Sequence, residues 1–285
     1  MLSYQHAYHA GGPADVHKHV ALGLLLGHLA KKDKPFCVFD LYAGEGEYNL
    51  EAFAAQKTQD YAKGVSHIWN AGIVPRDAPD GVRTYLELLR RFNPTAELGR
   101  YPGSPAIARD FMRDNDGLIL NELHSTAFPE LGRWARKDPR ITVHKRDGLE
   151  ALVGLTPPAI RRGVVLIDPS YEVKTEYTSV PETVAKSVEK WREGIFAIWY
   201  PILKEERHLS LLDGLTQQVN ADIFVCELSL PAVKHDEKAP GLRGTGLAVI
   251  NPPWQFDDAM RDAGFWLARQ LQGRHTAKWL KRAET

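Results

Sequence analysis

Four times along this chain a short apolar run stops at an acid. Phe36-Cys37-Val38-Phe39 stops at Asp40, and Leu118-Ile119-Leu120-Asn121 at Glu122. Ile141-Thr142-Val143-His144-Lys145-Arg146 stops at Asp147-Gly148, and Val164-Val165-Leu166-Ile167 at Asp168. A run such as Val164–Ile167, apolar at every position and rich in β-branched residues, is a strand buried on both faces. That is the signature of a parallel sheet covered by helices. In such a sheet ligands sit outside the carboxyl ends of the strands. The chain is therefore predicted to be α/β, with one crevice ringed by carboxylates.

The rest of the chain extends this sheet. Helix 181–193 leads to strand Ile195–Trp199, helix 204–219 leads to Ile223–Leu230, and Leu247–Ile250 is the final strand. That makes seven strands with alternating helices, a doubly wound arrangement. The last two strands are joined through Lys234–Lys238 and Gly241–Gly246, too short and turn-rich for a crossover helix. A mostly parallel sheet with the last strand antiparallel, a reversed edge strand, is expected.

The first strand runs into Gly44-Glu45-Gly46, where glycines let backbone approach a ligand. It is not a dinucleotide fingerprint, because Asn49 stands where the third glycine belongs, and it lacks the Gly-Lys-Ser/Thr of a P-loop. The second strand and its acid arrive late. Leu50–Ala55, Tyr61–Ala71 and Gly81–Phe92 read as helices, and Pro102-Gly103-Ser104-Pro105 then opens a helix with Ser104 as N-cap. Residues 49–100 are thus predicted to be a small helical insertion in a domain made of 1–48 and 101–285.

At 285 residues the chain can bury a sizeable core, and its formal charge of zero announces no nucleic-acid partner. Basic residues do cluster at Arg133, Arg136, Lys137, Arg140, Lys145 and Arg146, at Arg161 and Arg162, and near the C-terminus. The two cysteines, Cys37 and Cys226, lie in strand-like apolar runs and read as small buried hydrophobes. The longest apolar run, Val20–Leu26, cannot span a bilayer, and no signal-peptide pattern opens the chain, so a cytoplasmic protein is expected.

The N-terminal stretch holds His6, His9, Asp15, His17 and His19. A metal-dependent hydrolase built on His6, His9, His17 and Asp15 is the rival from another class, but the stretch lacks a matched ligand set, and no metal is expected. Asp15 instead opens a helix Val16–Ala30, in which His17 and His19 point to different faces.

Asp168-Pro169-Ser170-Tyr171 delivers an acid, a rigid turn and a flat ring to the crevice. Asp168 and the Pro169 carbonyl can accept hydrogen bonds from an exocyclic amino group, and Tyr171 can stack on the ring bearing it. The tetrapeptide resembles the Asp-Pro-Pro-Tyr motif of S-adenosylmethionine-dependent adenine-N6 methyltransferases, departing from it at Ser170. Asn251-Pro252-Pro253-Trp254 resembles it too, but follows the last strand, away from the crevice, and reads as a strand exit. The ordered acids suit the same cofactor. Glu122 can grip a ribose diol, Asp147 an adenine amino group, and the methionine part can lie on the glycine turn.

Met1-Leu2-Ser3-Tyr4, His9-Ala10-Gly11, Ala14-Asp15, Lys18-His19, Lys34-Pro35-Phe36, Tyr101-Pro102-Gly103-Ser104-Pro105, Glu122-Leu123-His124, Trp199-Tyr200-Pro201 and Asn251-Pro252-Pro253-Trp254 together resemble the bacterial 23S ribosomal RNA adenine-N6 methyltransferase J family. The resemblance spans essentially the whole chain. It implies a Rossmann-like methyltransferase that carries a methyl group from S-adenosyl-L-methionine to one adenine of 23S rRNA. A monomer with no membrane partner is expected. The resemblance further implies that His19, Tyr42, Gly44, Ser104, Glu122, Asp147, Gly148 and Asp168 bind the cofactor. Asp168, Pro169 and Tyr171 would carry catalysis, and Tyr4 would touch the RNA. Position 42 has Tyr where relatives often have His. Rival readings are a DNA-adenine or protein-glutamine methyltransferase, and a catalytically dead RNA-binding module suggested by Ser170.

Overall fold

The computed structural model describes residues 4–231 and 242–283. In chain order its elements are α1 Pro13–Ala30, β1 Cys37–Asp40, β2 Glu47–Asn49, α2 Phe53–Thr58, α3 Asp60–Lys63, α4 Val65–Ile68, α5 Asp80–Phe92, β3 Arg100–Pro102, α6 Ser104–Phe111 and β4 Gly117–Asn121. There follow α7 Ala127–Ala135, β5 Ile141–His144, α8 Gly148–Leu155, β6 Gly163–Ile167, α9 Glu176–Lys190, β7 Ile195–Ile202, α10 His208–Gln218, β8 Ile223–Ser229, β9 Gly244–Ile250, α11 Phe256–Gln270 and β10 Arg274–Lys281. A single 3-10 turn, His6–Tyr8, precedes α1. Met1, Leu2, Ser3 and the connection Lys234–Lys238 with Gly241 lie outside the described residues.

Alternation along the strands builds the core. Val38, Leu118, Val164 and Leu166 pack on one face against α1 and α6. Phe39, Val165 and Ile167 pack on the other against α8, α9 and α10. Every residue of β6 is buried, as its unbroken apolar run requires.

The main sheet has the order β10-β8-β9-β7-β6-β1-β4-β5. β1 pairs in parallel with β4 on one side and β6 on the other, so the strand order reverses at β1. That switch point opens the crevice. The sheet is mixed, with antiparallel strands toward one end, and it has eight strands where seven are expected. β9 is reversed, but it lies between β7 and β8 instead of forming an edge. The edge is β10, antiparallel to β8. Its sequence alternates His275, Ala277 and Trp279 with Thr276 and Lys278, a one-sided strand pattern that its basic residues obscure.

Residues 49–100 hold α2 to α5, and the antiparallel β2–β3 pair ties their two ends together. Their core of Val65, Ile68, Val82, Tyr85 and Leu89 is shared with Val16 and Val20 of α1 and with Trp266 and Leu267 of α11. Two helix starts differ from expectation. α1 begins at Pro13 with Gly12 as N-cap, which puts Asp15 inside the first turn. α6 takes Gly103 as N-cap, so Ser104 is its first helical residue, followed by Pro105.

Candidate functional site

β1, β4 and β6 stop at the same end of the sheet, where Glu122 and Asp168 face one crevice and Asp40 lies buried behind it. Asn121 holds the strand ends together, its amide donating to the carbonyls of Leu41 and Arg146, each at 3.0 Å. The crevice walls include Tyr4, His6, Tyr42, Gly44, Glu45, Tyr48, Glu122, His124, Asp168, Pro169 and Ser170. They frame a cleft that opens to solvent.

Glu122 braces the glycine turn. One carboxylate oxygen accepts from the Gly44 N–H at 2.8 Å and the other from the His124 N–H at 2.7 Å. Burial pushes its pKa up, against the pull of these N–H groups. Gly44 has φ +62° and Gly46 φ +88°, a region that favours glycine. At position 44 there is also no room, since a Cβ would stand 2.2 Å from the Tyr48 hydroxyl.

Behind the turn, Asp40 is buried, with one oxygen accepting from the Tyr42 N–H at 3.2 Å and the other without a partner. Burial raises its pKa to about 6, opposed by the Ser104 side chain and the Tyr42 amide. Ser104 is itself buried at the start of α6. His19 is buried with Nδ1 2.9 Å from the Tyr101 hydroxyl and Nε2 unpartnered. Burial depresses its pKa to about 3, so the ring is neutral.

Asp168 projects from the end of β6 onto Lys18 of α1, with Oδ2 accepting from Nζ at 2.5 Å. Lys18 also donates to Asp15 at 2.9 Å and is only 4% exposed. Burial opposes its charge, but Asp15 and Asp168 outweigh it and raise the pKa, so the ammonium persists. Asp15 is likewise penalised by burial, yet His6 and Lys18 hold its carboxyl well below the usual range. The chain of contacts continues outward. His6 Nε2 lies 3.0 Å from Asp15, and the Tyr4 hydroxyl lies 3.0 Å from His6 Nδ1. With the proton on Nε2, His6 donates to Asp15 and accepts from Tyr4. Residues 4–7 thus line the crevice mouth, and the Tyr4 N–H donates to Glu172 at 3.1 Å.

Tyr4, Tyr42, Gly44, Glu122, Asp168 and Pro169 therefore meet in the crevice, and His19 and Ser104 stand behind it. Asp147 and Gly148 are not among its walls. Asp147 is exposed, and its Oδ1 caps α8 by accepting from the N–H groups of Leu149 and Glu150 at 3.0 Å. Gly148 packs under Tyr42, where a Cβ would come 2.5 Å from the ring.

Tyr171 departs from its expected place. Its backbone turns at φ +54°, its hydroxyl donates to the Trp199 carbonyl at 2.8 Å, and its ring packs against Tyr177 at 4.6 Å in the core. It anchors the turn from beneath and presents no stacking face to the crevice. The N-terminal histidines also diverge. His9 pairs with Asp60, and His17 lies in the core beside His275. The basic cluster is partly neutralised, since Arg133, Arg140 and Arg146 pair with Glu130, Asp138 and Glu150.

Lys18 and His6 are contributors to which the sequence pattern assigns no role in the crevice, His6 being weighed there only as a metal ligand. Lys18 sits one turn after the acid that starts α1, a spacing that brings it beside Asp15. Its contact with Asp168, 150 positions away, leaves no local trace.

The profile of the family described as "Ribosomal RNA large subunit methyltransferase D, RlmJ" matches residues 33–281. The chain is 38% identical over 284 residues to ribosomal RNA large subunit methyltransferase J of Escherichia coli K12, covering 98% of this chain and 99% of that protein. It is 34% identical over 280 residues to the protein of the same name from Haemophilus influenzae, covering 98% and 97%. Among solved structures, protein LPL1258 of Legionella pneumophila superposes with a TM-score of 0.85 at 30% identity, over 95% of this chain and 98% of the other.

Proposed function

The chain belongs to the ribosomal RNA large subunit methyltransferase J family, and on that premise we propose that it transfers a methyl group from S-adenosyl-L-methionine to the N6 amino group of one adenine in 23S rRNA. The observation that supports this most is Asp168, held by Lys18 at the end of β6 and facing the same crevice as the Glu122-braced glycine turn.

The residues present fit the cofactor. Asp40 Oδ2 and His19 Nε2 are buried polar atoms in want of a partner, and the Gly44–Gly46 bend stays bare because a Cβ there would strike Tyr48 or Trp134. Glu122 keeps a second lone pair on each oxygen for the ribose hydroxyls. Tyr42, Gly44, Ser104 and Gly148 would shape the seat, and Asp147 would meet the adenine end from the start of α8. The bound cofactor supplies an electrophilic methyl group on a sulfonium.

The protein's own part is to bring a nucleophile into line. A base inside an RNA helix must leave its stack to enter the crevice, and Tyr4 at the mouth would contact the RNA as it does so. Asp168 and the Pro169 carbonyl would accept the two amino hydrogens, so that the nitrogen lone pair faces the methyl group. Lys18 fixes the direction of the Asp168 carboxylate. The rate gain would come from positioning and from fixed charge at the amino group. After transfer, Asp168 or water takes the surplus proton.

The test is incubation with methyl-labelled cofactor and, in separate arms, 23S rRNA, DNA and protein acceptors, followed by nucleoside and amino-acid analysis. Label in N6-methyladenosine from 23S rRNA is expected. Label in another rRNA nucleoside, in DNA or in glutamine would replace this reading.

A further inference from the structure

α1 carries two neighbours in opposite surroundings. Lys18 points to the acids of the crevice. His17 points away, beneath the far edge of the sheet. It is wholly buried, and neither of its ring nitrogens has a hydrogen-bond partner. His275 on β10 is in the same state. The two rings meet edge to face with centroids 5.9 Å apart.

The third member is Cys226 on β8, also buried. The β8–β10 register sets Ala277 opposite Cys226 and His275 opposite Leu228, so Cys226 and His275 project from the same face. One donor atom from each of His17, Cys226 and His275 lies within 4.8 Å of the other two. Gly264 of α11 makes room for the group, since a Cβ there would stand 2.1 Å from His275 Nε2.

We propose that His17, Cys226 and His275 form a binding site for one monovalent copper ion, held by a nitrogen of each ring and by the Cys226 sulfur. Thiolate and imidazole together select soft and borderline ions, copper and zinc foremost. Coordination number and charge separate the two. Zinc takes four ligands, so with no fourth His, Cys, Asp or Glu among the described residues in this buried group it would need a water there. A divalent ion with one thiolate would also leave a net positive charge in an apolar core. Monovalent copper with one thiolate is neutral.

The rings suit the task. No ring nitrogen of His17 or His275 has a hydrogen-bond partner, and a neutral imidazole keeps one of its two nitrogens as a free lone pair. Binding breaks the Cys226 S–H bond as the copper–sulfur bond forms, with the proton released to solvent. Copper enters and stays monovalent, and no electron moves. The ion would join α1 to the edge strand β10.

The test uses the full metal-free chain without oxygen, titrated with monovalent copper held by a chromophoric chelator such as bicinchoninate. One equivalent per chain should leave the chelator, with one proton released and a higher melting temperature. Uptake should vanish in Cys226→Ser and in His17→Leu, and persist in Cys37→Ser, which removes the other thiol. Should either variant fail to fold, copper K-edge absorption of the loaded wild-type chain decides, with two nitrogen donors and one sulfur donor expected. No uptake, uptake that survives Cys226→Ser, a donor shell without sulfur, or zinc bound at these residues in place of copper would each overturn the proposal.

Discussion

Two strands of the main sheet end in nearly the same words. β6 ends in Asp168-Pro169-Ser170-Tyr171 and β9 in Asn251-Pro252-Pro253-Trp254. β6 runs parallel to β1 and β7, so its tetrapeptide emerges at the crevice. β9 runs against β7, with Ile250 opposite Phe196 near the start of that strand, so its tetrapeptide emerges at the opposite rim. There Asn251 donates to the carbonyls of Arg192 and Gly194, each at 2.8 Å, and Trp254 is 83% exposed. Asp168 instead meets a buried ammonium. What such a tetrapeptide can do is set by the direction of the strand before it and by what waits at that end of the sheet.

The largest contrast should come from removing the charge at the first site. Asp168→Asn should lower turnover by about 10²–10⁴-fold, the range typical of a lost proton-handling group, while cofactor affinity holds. A variant that lost cofactor binding in step with turnover would break the assignment. Lys18→Met should follow. It leaves Asp15 and Asp168 facing each other with no cation between them, and breaking a buried pair this way costs about 3–5 kcal/mol. Denaturant midpoints give the loss. In the double variant with Asp168→Asn part of it should return, because the unpaired carboxylate is gone.

Much of this was legible before the structure. The carboxyl-end acids and the glycine bend follow from short apolar runs that end in polar residues, and strand periodicity is local. The late second strand marked the helical stretch 49–100 by its displacement alone. What stayed hidden depends on pairing across the chain. β10 reads as a basic tail because its lysines and Arg274 alternate with the buried residues, and only β8 beside it makes it a strand. Tyr171 reads as a stacking ring because its position is right, but the φ of its own residue turns the ring into the core. Asp147 has the residue type that grips a ligand and also the type that caps a helix, and the start of α8 already claims one of its oxygens.

The third contrast sets an acid-ended strand against the amide-ended one through pH. Asp40 ends β1 in a buried place that raises its pKa from 3.8 to about 6. The folded chain therefore keeps a proton that the unfolded chain releases between pH 4 and 6. Asp40 contributes its stability at low pH and loses it as pH rises through the folded value. Asp40→Asn has no proton to lose. It should match the wild type near pH 4 and exceed it by about 3 kcal/mol above pH 7, from a shift of about two pKa units. Urea midpoints at the two pH values check this, and a difference that does not change with pH would remove burial as the cause.

The smallest effect belongs to Asn251. Asn251→Ala removes two donated hydrogen bonds and leaves an alanine at φ +53°, for a combined loss of about 2 kcal/mol and no change in turnover. Asn251→Gly separates the two parts, because glycine accepts the left-handed backbone but still lacks the amide. Its loss should therefore be the smaller, and the gap between the two variants measures the backbone contribution alone. A fall in turnover in either one, with stability restored by lower temperature, would mean that the far rim of the sheet takes part in the reaction. Strand direction would then not divide the two tetrapeptides.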